Sequence, residues 1–322
     1  MVAAFGLFAP PGSATVPASS WALPQIEAVT ASGLFDGTAE TFRADDPLTS
    51  GALARLVAAV RGQAVVPPVD ATAQVSIAHL DATLVAALDL RDAARSVDAA
   101  TRQAGLKPPA RFGTEVVARL LHLRVNHPAA QDALELQPQE AATRAEAAYS
   151  AAQILRLHGT DLDGVRSLAA VLWLPPVTGF QQRVLQTAVS LIGYPYVWGG
   201  EDERTERGFD CSGFVWRVFK LAKYAEAREL AQTIRGRTAA ELSAEVPKGR
   251  RIAFDDLEPA DVLFFGAGHP AKPRNIEHTG IYLGGGWMIH ASGNGVALNP
   301  LTGWYRTAFA WARRPLAEAG LT

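Results

Sequence analysis

Apolar residues recur at helical spacing through the first half of the chain and give way to short β-type runs only toward its C-terminal end. From Trp21 to about Leu157, alanine-rich runs alternate with short polar breaks, and hardly any stretch is rich in β-branched residues. That periodicity predicts packed helix pairs. Thr49 stands as an N-cap before Leu53, Leu56, Val57 and Val60, and Thr143 opens a second such run. A poorer copy from Val75 to Leu90 lies between them, so three helical units are expected.

Pro175 and Pro176, within Trp173 to Val177, predict a stiff break. Thr178 then caps a helix whose apolar face is Phe180, Val184, Leu185, Ala188, Leu191 and Ile192, ended by Gly193. A further helix carries Phe214, Val215, Val218, Phe219 and Leu221, with Asp210 as its cap and Cys211 in its first turn. Between them, Glu201 to Arg207 reads as a charged surface loop that could gate a cleft. Val262 to Phe265 predicts a buried strand, and Thr307 to Arg313 a closing one. Glu277 to Leu283 and Trp287 to Ala291 flank Gly284, Gly285 and Gly286, which predicts a hairpin. The expected register pairs His278 with His290 and places both on one face.

Composition bounds the picture. With 48% hydrophobic and 19% charged residues and a net charge of −2, the 322-residue chain has the makeup of a globular protein of two domains. No basic bias points to nucleic acid, and the proline-broken, uncharged stretch before Glu27 cannot form a membrane-spanning helix. Residues 1–20 read as a leader or the remainder of an export signal, with Val16, Pro17 and Ala18 as a small-residue cleavage site.

The single cysteine excludes an intramolecular disulfide or a multi-cysteine zinc site. At the start of a helix its thiol should ionise more easily than a free one. The same position also suits a small apolar residue packed in a core. Of the seven histidines, His278 and His290 stand out, because a hairpin would make them neighbours. A thiol, an imidazole base and a second polar group that orients the base form an activated nucleophile. His269, in the loop from Gly266 to Ile276, has no such partner and is expected to be solvent-exposed.

Five ordered blocks resemble the NlpC/P60 cysteine peptidases, papain-like hydrolases of peptidoglycan stem peptides. They are Tyr194 to Gly200, Gly208 to Phe214, Leu257 to Phe265, His278 to Tyr282, and Met288 to Ala291. The resemblance runs from about Phe180 to Leu316. It implies that Cys211 is the nucleophile, His278 the base and His290 the third member. It also implies that Tyr196, Asp210 and Ser212 bind substrate near the amine of a stem peptide, and that Arg235 to Glu241 forms a short helical segment. Thr143-Arg144-Ala145-Glu146 resembles an element of S-layer homology repeats, small helical modules that hold cell-wall polysaccharide. The alternative there is a helical spacer with Arg144 and Glu146 solvated.

The expected architecture is multidomain: an α-helical N-terminal repeat domain (21–172), a linker (173–179) and an α+β papain-like domain with a central antiparallel sheet (180–322). The expected activity is that of a cell-wall cysteine endopeptidase cutting stem peptides between D-glutamate and a diamino acid, outside the cell or at the wall. Expected partners are those peptides and wall polysaccharide; no cofactor is implied. Two alternatives compete: zinc held by Cys211, His278 and His290, and a catalytically silent wall-binding protein.

Overall fold

The computed structural model describes residues 20–268 and 271–321; the leader reading and His269 lie outside them. Among the described residues, the first half holds seven α-helices: α1 (Leu23–Ala31), α2 (Ser50–Arg61), α3 (Ile77–Ala87), α4 (Arg91–Gln103), α5 (Phe112–Leu120), α6 (Arg144–Ile154) and α7 (Gly159–Val171). Hydroxyl caps start α2, α3 and α6: Thr49 accepts the N–H of Ala52, Ser76 that of His79 and Thr143 that of Glu146. The residues just before these caps close a ring. Leu48 N–H donates to Ala142 O (2.7 Å), Ala142 N–H to Val75 O (2.8 Å), and Val75 N–H to Leu48 O (2.9 Å). All three side chains are buried, so three distant segments meet through main-chain hydrogen bonds at the centre of the helical half.

Beside the ring, charged groups are buried together. Arg124 lies 3.3 Å from Glu146 and 3.5 Å from Asp81, and Arg119 lies 3.2 Å from Glu115. Burial pushes the Asp81 carboxyl up to about 7 against the opposing pull of Arg124. Glu146 is therefore a core residue and not a solvated one. Arg144 is half-buried, its Nε donating to Phe42 O (2.7 Å) and its guanidinium 4.6 Å above the Phe42 ring.

The second half begins with α8 (Gly179–Ser190), whose Val184, Leu185, Ala188 and Val189 are buried, and the chain turns at Gly193 with φ +87°. The preceding segment from Trp173 to Val177 is not a free tether: it packs on the hairpin turn, where a Cβ at Gly285 would come within 1.9 Å of Trp173 O. Then come β1 (Glu201–Asp202), β2 (Gly208–Phe209), α9 (Cys211–Trp216) running on into a π-helical turn, α10 (Arg228–Thr233) and α11 (Ala239–Ala244). The remaining elements are β3 (Val262–Gly266), β4 (Ile276–Gly284), β5 (Trp287–Ser292), β6 (Gly295–Pro300), α12 (Gly303–Ala308), β7 (Phe309–Arg313) and α13 (Pro315–Glu318). The strands form a five-stranded antiparallel sheet in the order β6-β5-β4-β3-β7.

Alternation along the strands splits their side chains between two apolar clusters. Val262, Phe264, Ile281 and Ile289 join the main core with Phe214 and Val218, while Leu263, Phe265, Met288, Leu301 and Ala308 form a second one. The main cluster continues without interruption into the helical half through Val117, Ala148 and Val177.

Three expectations are corrected. The closing strand starts at Phe309, because Thr307 and Ala308 finish α12. The charged stretch from Glu201 to Arg207 is a tied hairpin, with Glu203 paired to Arg217 (2.7 Å) and Arg207 to Glu140 (2.6 Å). The hairpin register is shifted by two residues: Ile281 faces Ile289 and Tyr282 faces Met288, which sets Gly280 and not His278 opposite His290. Gly284, at φ +106°, takes up an irregularity there and brings the ladder closer to the turn.

Candidate active site

A shift of two keeps parity, so His278 and His290 remain on one face as diagonal neighbours. His278 Nε2 and His290 Nδ1 are 2.6 Å apart. Gly280 makes this possible: a Cβ there would lie 2.9 Å from the His290 Cβ. On the far side, His290 Nε2 is 3.0 Å from Asn299 Oδ1, on β6. An amide oxygen can only accept, so His290 carries its proton on Nε2 and its Nδ1 is an acceptor. His278 must then donate from Nε2, which leaves its Nδ1 free to accept a proton. The three side chains thus step diagonally across β4, β5 and β6. Sequence reasoning missed Asn299; only the β5–β6 pairing, Met288 with Asn299, brings it to His290.

Cys211 opens α9, which packs on β4 and β5. Asp210 caps the helix, its Oδ1 accepting the Gly213 N–H (2.6 Å) and its carbonyl that of Phe214. The N–H groups of Cys211, Ser212 and Thr279 point at the sulfur, and Thr279 is the residue after His278. These donors do not prevail. Burial, with the Asp210 charge beside it, pushes the Cys211 thiol up to about 11, which corrects the expectation of easy ionisation.

The histidines are held neutral as well. Burial lowers His290 to about 4, and burial together with His290 takes His278 well below the usual imidazole value. Phe265, Trp304 and Tyr305 supply much of that apolar surrounding, with the Tyr305 ring 6.1 Å from His278 and 5.2 Å from His290. At rest the site holds a neutral thiol and two neutral imidazoles.

Tyr196 is half-buried near this centre; burial, then the proximity of Cys211 and Asp210, keeps its hydroxyl protonated far beyond the usual phenol range. Asp210 and Ser212 are joined to each other (3.0 Å) and both to Arg237, which gives two hydrogen bonds to Asp210 at 3.0 Å and one to Ser212 at 3.0 Å. The expected amine-binding carboxylate is therefore already neutralised from within the chain. Nothing in the sequence pattern singled out Arg237 for this contact.

A zinc ion shared by both histidines does not fit. The two facing nitrogens are hydrogen-bonded at 2.6 Å, closer than the roughly 3.3 Å that separates ligands on a tetrahedral zinc. Among the described residues no group of three or more His, Cys, Asp or Glu side chains is arranged to hold a metal.

Residues 193–314 match the NlpC/P60 family model, and this part of the chain is an NlpC/P60 domain. Relatives of this domain are named as peptidases. Among its relatives is the gamma-D-glutamyl-L-lysine dipeptidyl-peptidase of Bacillus subtilis, 32% identical over 38% of this chain and 36% of that protein. The bifunctional muramidase/DL-endopeptidase CwlT of the same organism is 33% identical over 40% of this chain and 36% of that protein. A solved NlpC/P60 family protein from Bacillus cereus is 25% identical over 45% of this chain and 43% of that one, with a TM-score of 0.35. The chain thus spans about a third of the length of those two curated relatives. No helix of the described residues is long and apolar enough to cross a membrane.

Proposed function

We propose that this chain is a cysteine endopeptidase that hydrolyses peptidoglycan stem peptides at the bond between D-glutamate and a diamino acid, acting outside the cell or at the wall. Cys211 is the nucleophile, His278 the base and His290 the group that orients it, with Asn299 behind. The observation that carries this reading is the hydrogen-bonded line His278–His290–Asn299, which leaves His278 Nδ1 as the free acceptor beside the Cys211 helix.

The reaction follows from that tautomer. The Cys211 proton passes to His278 Nδ1 as sulfur adds to the scissile carbonyl, and the N–H groups of Cys211 and Ser212 receive the developing oxyanion. His278 then protonates the leaving amine, and a thioester remains. Water gives its proton to His278 and attacks the thioester, and the departing sulfur takes that proton back. The proton shift has to accompany attack, because both partners rest neutral.

The helical half is proposed as a set of S-layer-homology-like repeats spanning 21–172, joined through 173–179 to a peptidase domain at 180–322. The support is the hydrogen-bonded ring of Leu48, Val75 and Ala142, each two residues from the start of a capped helix. A groove of about 240 Å³, lined by Phe35, Asp36, Arg55 and Arg144 among others, is where wall polysaccharide would lie.

Incubation with purified cell wall tests the enzymatic part. Release of stem-peptide fragments should stop after alkylation with iodoacetamide and persist with a metal chelator. Loss with the chelator alone would overturn it.

A further inference from the structure

Helix α5 carries Arg111, Glu115 and Arg119 at successive spacings of four, so the three charged side chains share one face. That face meets the second half of the chain. Arg111 donates from Nε to Ile192 O (3.1 Å) and from Nη2 to Ser190 O (3.0 Å). Arg119 donates from Nη2 to Gly193 O (2.6 Å) and from Nη1 to Asn294 O, in the turn between β5 and β6. His122 adds a side-chain contact, its Nδ1 3.1 Å from Asn294 Nδ2. Two guanidiniums of the helical half thus hold four main-chain carbonyls beside the sheet.

The approach is too close for a side chain on the other side. Gly193 and Gly295 have φ of +87° and +71°; a Cβ on the first would lie 2.7 Å from the Glu115 carboxyl carbon, and one on the second 2.8 Å from Arg119 Nη1. What is held there is the edge of the sheet. β6 has a strand neighbour, β5, on one side only, and on the other it bonds to the gripped turn: Gly193 N–H donates to Val296 O (3.0 Å) and Val296 N–H to Tyr194 O (2.8 Å). Because an edge strand is paired from one side, the contacts on its other side decide how firmly it sits. Three residues along β6 from Val296 is Asn299, whose Oδ1 receives the His290 Nε2 proton.

Stability alone does not account for this arrangement. Arg119 and Glu115 are both buried and 3.2 Å apart, and a buried ion pair adds little over apolar side chains of the same volume. Directed N–H groups do what apolar ones cannot, which is to fix two carbonyls in place. Resting on the peptidase reading, we propose that Arg119 is a positioning residue for catalysis: by gripping Gly193 and Asn294 it fixes edge strand β6, and with it Asn299 behind His290. The helical half is then part of the catalytic apparatus.

The test uses the full chain as wild type, Arg119→Met, the double variant Glu115→Leu with Arg119→Met, and Arg119→Lys. Arg119→Met leaves Glu115 buried without its partner and should unfold at clearly lower denaturant; the double variant removes both charges and should recover most of that loss. Catalysis should not recover with it. In both Met variants kcat should fall about tenfold, with KM within about twofold of wild type. Arg119→Lys keeps the charge but reaches one carbonyl in place of two, and should fall between.

Nitrogen-15 shifts of the His290 ring report on Asn299 without substrate. Wild type should show one tautomer, protonated on Nε2, and both Met variants a mixture. If no form cleaves stem peptides but the tautomer responds in this way, the peptidase reading fails and the positioning role stands. A double variant that is as active as wild type and keeps a single His290 tautomer overturns the proposal, since Arg119 would then serve stability alone. Should the Met variants fail to fold, Arg119→Lys is read by itself, and an unchanged kcat with an unchanged His290 spectrum overturns the proposal equally.

Discussion

His290 stands opposite Gly280, not His278, and the two imidazoles meet along the diagonal of the β4–β5 ladder at 2.6 Å. The missing side chain at 280 is therefore a condition of the contact. Gly280→Ala should push His290 off Asn299 and lower kcat/KM by at least about tenfold, and the overpacking should cost about 1–3 kcal/mol of stability. Steady-state kinetics and a denaturant melt check both; a fully active variant would show that the diagonal contact is dispensable.

Asn299 fixes which nitrogen of His290 carries the proton. Asn299→Leu leaves that N–H without its buried acceptor, so His278 is no longer oriented as a base. The expected loss in kcat is about tenfold or more, with partial recovery in Asn299→Asp, which again accepts. Nitrogen-15 shifts of the His290 ring provide a check without substrate: Nε2 should be protonated in the native protein and the tautomers mixed in Asn299→Leu.

Hairpin, helix types and the parity of the two histidines were legible because apolar residues at 281, 283, 289 and 291 must all face the main core. The register was not, since three glycines in a row permit more than one turn and only packing selects among them. Contacts such as Asp210 with Arg237, or Asp132 with the Trp198 amide, join residues far apart in the chain and leave no local signature. The ionisation of Cys211 is hidden for another reason: the helix start is visible in the sequence, but the burial that outweighs it is a tertiary property.

Cys211 should alkylate slowly at neutral pH. Its thiol is pushed up to about 11, so in free enzyme the iodoacetamide rate should keep climbing toward pH 11 where that of an ordinary thiol levels off near 8.5. Stopped-time labelling followed by peptide mass mapping gives the profile. A plateau reached below pH 8 would mean a preformed thiolate.

Both site histidines are neutral when folded, with His290 lowered to about 4 and His278 also well below 6.5. Unfolding lets each take up a proton below about pH 6.5, so the unfolded chain binds more protons and stability falls as pH drops from there toward 4. Above about 6.5 they contribute no slope. Denaturant midpoints measured across this range should fall less steeply with acid in His290→Gln than in the wild type.

Arg124 is buried between Asp81 and Glu146 and is the main cation opposing their charge. Arg124→Leu strands those carboxylates and should cost about 3–5 kcal/mol, one of the largest effects of any single substitution in the helical half. Chemical denaturation measures it, and a loss below about 1 kcal/mol would mean that the acids are protonated without help.

The most direct test is mass spectrometry of defined stem peptides after incubation with the wild type and with Cys211→Ala. Wild type is expected to yield fragments ending in D-glutamate and beginning with the diamino acid, and Cys211→Ala to leave the peptides intact. Equal product in both samples would contradict the assignment of this sulfur as the attacking atom.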